Sequence, residues 1–143
     1  MSPRKKQPSP AACGRVSVFN ARKEGRYWDA ILYGAQVYHH ERLWHMQYYQ
    51  SAIKMAEQMR AIVSPQKYED EIDYHTQEVA SWTGETGVRL QIGRDLEALH
   101  LESSVEAALV HAIAAWSEAG GVPDQLPAIL APYRDDAKGE SEP

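Results

Sequence analysis

Between residues 27 and 63 no proline and only one glycine, Gly34, interrupts a segment rich in helix formers. Apolar side chains recur there at helical spacing. This predicts one long helix of roughly ten turns, or two collinear helices with a bend near Gly34 or His39–His40. Placed around a helical wheel, Trp28, Ile31, Leu32, Ala35, Leu43, Met46, Tyr49, Ile53 and Ala56 share one face. A second stripe carries Tyr33, Val37, Trp44, Tyr48, Met55, Met59 and Ile62, which leaves only a narrow polar sector. A surface helix needs one apolar stripe, so two predict cover on two sides, from its own bundle or from a partner chain.

The rest of the chain reads mostly as shorter helices. Ser64–Pro65 is a start signal, a hydroxyl cap followed by proline at the first helical position. The helix it opens, residues 65–82, sets Tyr68, Ile72, His75, Val79 and Trp82 on one seam. Its acidic run Glu69, Asp70, Glu71 and Asp73 lies where the helix dipole favours negative charge. Residues 83–87 read as a loop. Val88, Leu90 and Ile92 alternate like a strand, or open a helix that runs on to Leu101. Ser103-Ser104-Val105-Glu106 reads as a capping box for a helix over 104–119 that Gly120–Gly121 closes. Beyond it, Leu126, Ile129 and Leu130 suit one short turn folded back on the body. Arg15 to Phe19 alternate as a short strand or a lead-in.

The expected fold is all-α, a small helical bundle built around one long helix, with at most a short strand pair. Residues 1–26 are expected to be a disordered basic arm, 27–131 the helical domain, and 132–143 a disordered acidic tail. The 143 residues, 43% hydrophobic, suffice for one core. Eight Tyr and four Trp against a single Phe favour half-buried seams and interfaces, because these rings carry polar atoms that need partners. Cys13 is the sole cysteine, which excludes an intramolecular disulfide and a thiolate metal cluster within one chain. With no signal-peptide-like or membrane-length apolar run, the expected location is the cytoplasm, with no membrane association.

Charge changes the picture most. Arg4, Lys5, Lys6, Arg15, Arg22, Lys23 and Arg26 stand against Glu24 alone in the first 26 residues. The remainder of this net −5 chain carries 8 basic and 19 acidic side chains. Those seven cations, running into the rings of Tyr27, Trp28 and Tyr33, form a candidate nucleic-acid contact, with charge for phosphates and rings for bases. No Gly-rich phosphate loop or nucleophile elbow is present, and no cofactor is implied.

The reading that follows is a non-enzymatic helical binding or assembly module. A protein partner or a second copy would meet Tyr33, Trp44, Tyr48, Met55 and Met59, since methionine-rich faces adapt to partners. Two alternatives remain. Glu41 with His45, and Glu97 with His100, have the helical spacing of carboxylate–histidine metal bundles. The Arg94–His100 spacing also resembles the Arg-x(4–6)-His pattern of HEPN domains, small all-helical ribonucleases and toxins. That resemblance implies a phosphate-steadying Arg94 and a proton-handling His100 at a dimer interface.

Overall fold

The computed structural model describes residues 10–141, with side chains over residues 14–135. Among the described residues there are six α-helices and one 3-10 turn, and no strand. The helices are α1 (Pro10–Lys23), α2 (Tyr27–Gln58), α3 (Pro65–Ser81), α4 (Gly84–Leu99), α5 (Ser103–Glu118) and α6 (Leu126–Ser141), with the 3-10 turn at Pro123–Gln125 before α6. The fold is all-α.

The arm expected to be disordered is helical from Pro10 onward. Gly14, Val18 and Ala21 recur at spacings of 4 and 3, a stripe that packs antiparallel along the first half of α2. A Cβ on Gly14 would stand 2.6 Å from Val37. Val18 and Ala21 are buried with Ala30 and Val37 in a small core of their own, with Tyr33 against it. The strand-like alternation of residues 15–19 does not hold, because Val16 is exposed and Val18 buried, so positions two apart face different sides as on a helix. Arg4, Lys5 and Lys6 lie outside the described residues.

The main core joins the first half of α2 to α4, α5 and α6. Ile31, Ala35 and Tyr38 meet Val88, Ile92 and Leu96, one side chain per turn of α4. Leu109, Val110, Ile113 and Trp116 of α5 and Leu126 and Leu130 of α6 close the cluster. Residues 88–92 are thus helical, and the spacing of 4 among Val88, Ile92 and Leu96 is the one that matters. Two close approaches seat these helices. A Cβ on Gly87 would lie 2.6 Å from the Tyr38 ring and within about 3 Å of the Trp82 backbone. Gly121, at φ +62°, ends α5 with its N–H donating to the Trp116 carbonyl at 3.0 Å, and its α-carbon faces the His39 ring.

The termini of α3 and α5 differ in their caps. Ser64 Oγ accepts the Lys67 N–H at 3.2 Å, as Ser64–Pro65 predicts. Glu102 rather than Ser103 or Ser104 occupies the N-cap of α5, and its side chain makes no capping bond, so the capping box does not form. At the other end α6 continues as helix through Ser141 instead of giving way to a disordered tail at 132. Buried Leu126 and Leu130, with Ile129 and Tyr133 packed beside them, supply the nucleus from which the helix propagates.

Candidate functional site

The second half of α2 leaves the main core. After His39 its only buried residue is Ala56, and α3, which folds back along it, buries none. The pair forms a helical hairpin held by one half-buried seam. At its base the His45 ring stacks on Trp82 (centroids 4.2 Å apart, planes at 11°) and lies parallel to Tyr49 at 6.0 Å. Further along, Tyr49 meets His75 at 5.7 Å and Tyr74 at 6.4 Å. Burial raises the Tyr49 pKa above its ordinary value, with Glu78 and Tyr74 adding to the effect.

Beside this seam a second face of α2 is exposed. Trp44 and Tyr48 stack in parallel at 5.3 Å, 59% and 53% exposed, and Met55, Met59 and Ile62 are 65%, 43% and 73% exposed. With Ala52 between them, Trp44, Tyr48, Met55 and Met59 follow spacings of 4, 4, 3 and 4, one ridge of α2 that its C-cap Met59 ends, and Ile62 lies in the turn beyond. An open groove of about 810 Å³ runs beside the ridge, lined by Tyr48, Ala52, Met55, Met59, Val63 and Tyr74 and rimmed by Lys67, Asp70 and Glu71. Of the five expected interface residues, Trp44, Tyr48, Met55 and Met59 lie on this surface, whereas Tyr33 packs against α1.

Most of the expected nucleic-acid cations that are described are engaged within the chain. Arg15 pairs with Glu41. Arg26 bonds Glu24 at 2.8 Å and Asp29 at 2.6 Å. Arg22 grips Asp95 of α4 through Nε at 2.7 Å and Nη2 at 2.8 Å, and the Asp95 side chain is fully buried. Lys23 is exposed and makes no ion pair among the described residues. Asp95 is a functional-looking residue that sequence reasoning passed over. Its signal was a lone carboxylate on the apolar stripe of Val88, Ile92 and Leu96.

The remaining candidates scatter. Glu41 and His45 do meet, with Nε2 to Oε2 at 3.2 Å, but Glu97 and His100 are both exposed at the C-terminal end of α4. No cluster of three or more metal-ligating side chains occurs among the described residues. Arg94 is exposed on α4, and His100 follows that helix in the left-handed conformation at φ 53°. The two share no hydrogen bond among the described residues.

One buried polar pair was not anticipated. His39 Nδ1 and Ser117 Oγ are 2.8 Å apart, beside Trp116, whose ring centroid lies 5.3 Å from that of His39. Burial lowers the His39 pKa below its usual value, and the neighbouring His40 and Arg42 lower it further. Ser117 is 2% exposed, so its hydroxyl meets no substrate, and the pair joins α2 to α5. No described helix is long and apolar enough to cross a membrane. No family model, no curated protein and no solved structure matches this chain.

Proposed function

We propose that this protein is a helical assembly module that pairs with a second copy of itself through the ridge of the α2–α3 hairpin. The observation that carries the reading is the unpartnered run Trp44, Tyr48, Met55, Met59 and Ile62, on a hairpin with little core of its own. Exposed apolar side chains grouped on one ridge, unlike scattered ones, mark an interaction surface.

The occupant follows from the order of residues along the ridge. Both rings stand at one end, the two methionines and Ile62 at the other, and small Ser51 and Ala52 between them. An antiparallel two-fold pairing sets the Trp44–Tyr48 stack of each copy against Met55 and Met59 of the other, where sulfur–aromatic contact adds to area burial. The small residues at the centre let the two helices approach. Lys67, Asp70 and Glu71 give the groove rim both signs of charge, so the surface is complementary to itself.

Light scattering on the full chain tests this. The expected mass is twice 16.1 kDa at about 100 µM protein, a concentration that populates even a weak dimer. Tyr48→Glu combined with Met55→Glu returns the monomer mass with an unchanged circular dichroism spectrum. A wild-type chain that stays monomeric throughout the concentration range overturns the reading.

A further inference from the structure

Away from the hairpin, α1 and α4 enclose a groove whose two hollows, of about 480 and 440 Å³, share Arg22 and Arg94. Arg15 stands at one end, and Lys23 with Tyr27 at the other. The Arg22–Asp95 bridge forms the floor, and because Asp95 is fully buried its charge is satisfied there rather than offered to solvent. Arg94 and Lys23 make no ion pair among the described residues, so the walls carry two uncompensated cations in a chain whose net charge is −5. Phe19, the only phenylalanine, lies 62% exposed on the same wall.

An apolar ring left in water beside unpaired cations has no structural use in the fold: Phe19 belongs to neither buried cluster. The combination of bare ring, half-buried Tyr27 and aligned cations is that of a surface for a strand of phosphates with unstacked bases. From Arg15 to Lys23 the groove spans about 12 Å at 1.5 Å per helical residue. That accommodates roughly three or four nucleotides at the 3.4 Å rise of a stacked strand.

We propose that the α1–α4 groove binds single-stranded nucleic acid, with Lys23 and Arg94 on backbone phosphates and Phe19 and Tyr27 under bases. The acidic remainder of the chain repels the strand elsewhere and confines it to this groove. The site shares no residue with the hairpin ridge, so pairing of two chains doubles the number of grooves without altering either one.

The test is fluorescence anisotropy of labelled oligo-dT and oligo-U of about 12 nucleotides with the full chain at two salt concentrations. Binding to either sugar type is expected, and the stronger arm identifies DNA or RNA as the source. Lys23→Glu with Arg94→Glu is expected to weaken binding at least tenfold at low salt and to reduce the log–log salt slope by about 1.4, for two lost phosphate contacts. Both positions are exposed, and circular dichroism checks the fold; if the charge reversals unfold the chain, Lys23→Gln with Arg94→Gln carries the same expectation in weaker form. Phe19→Ala is expected to weaken oligonucleotide binding at least threefold while leaving inorganic polyphosphate binding unchanged. Tyr48→Glu with Met55→Glu, which addresses pairing alone, leaves the affinity per chain intact. The proposal falls if neither oligonucleotide binds at low salt. It falls equally if the charge-reversed chain binds as the wild type does, which places binding on Arg4, Lys5 and Lys6. A Phe19→Ala chain with full oligonucleotide affinity, or a duplex held as tightly as the single strand, also overturns it.

Discussion

His39 and Arg22 each join two helices through a polar group that water does not reach freely, and each gives the fold a measurable weakness. The His39 pKa is depressed, first by burial and then by His40 and Arg42, so the folded chain resists a proton that the unfolded chain accepts. Stability from this group is therefore complete above its unfolded pKa near 6.5, falls as the pH drops toward the folded value, and stops falling below it. Thermal melts from about pH 7.5 to about pH 5.5 are expected to show a declining Tm, and His39→Gln, which keeps a hydrogen-bonding group toward Ser117, a shallower decline. Equal slopes in the two proteins would remove His39 as the cause. The Arg22–Asp95 bridge is asymmetric in a different way. Removing Arg22 strands a fully buried carboxylate, whereas removing Asp95 leaves an arginine 27% exposed that turns toward solvent. Urea titration is expected to find Arg22→Met destabilising by about 3 kcal/mol, Asp95→Leu by less, and the double variant close to wild type. A double variant as damaged as Arg22→Met contradicts this account. Neither pair was legible in the sequence, because a tertiary partner 73 or 78 residues away leaves no local trace. The Ser64 cap, which depends only on a neighbour three residues on, was.

At the scale of elements, legibility followed the length of the pattern. Residues 65–81 and the all-α class could be read because spacings of 4 and 3 persist over several turns. In α1 the helical stripe of Gly14, Val18 and Ala21 is short and built partly of glycine and alanine, so the flanking Val16 and Phe19, both exposed, imitated a strand. The same ambiguity hid α4, where exposed Leu90 supplied the false alternation with buried Val88 and Ile92. The two stripes of α2 were legible as stripes, but not which of them the chain covers itself. The structure divides the answer by position: the first half of α2 is covered by α1 on one side and the core on the other, while the second half bears one covered face and one bare ridge. For that ridge, antiparallel pairing makes a geometric prediction. Ser51 lies near the two-fold axis, so Ser51→Cys in a Cys13→Ser background should form a disulfide-linked dimer on oxidation, since Cα atoms must come within about 7 Å for the bridge to close. Lys54→Cys in the same background serves for comparison. Faster linkage through residue 54 than through residue 51 rejects this register.

The whole molecule combines a well-buried core with a hairpin that has almost none. Seventeen residues of α3 contribute no buried side chain, and the bare ridge of α2 lies beside the seam that holds α3, along the groove between the two helices. Opening of this hairpin is therefore expected at lower free energy than unfolding of α4 and α5, whose Ile92, Leu96, Leu109 and Ile113 are inaccessible to solvent. Pairing of two ridges stabilises the chain against every opening that breaks the pair, local opening of the hairpin and global unfolding alike, and the effect grows with chain concentration by mass action. Amide hydrogen exchange separates these contributions. In dilute solution the amides of residues 44–80 are expected to exchange well before those of α4 and α5. Raising the concentration a hundredfold through the dimer range should slow the hairpin amides, and with them the core amides that exchange by global unfolding, with a gain near 2.7 kcal/mol for a partner at 100 times its Kd. The Tyr48→Glu, Met55→Glu chain should show fast hairpin exchange at every concentration. Hairpin protection that equals the core in dilute solution means that the seam of His45, Trp82, Tyr49 and His75 suffices by itself. Hairpin protection that stays flat with concentration while core protection rises places the contact elsewhere on the molecule.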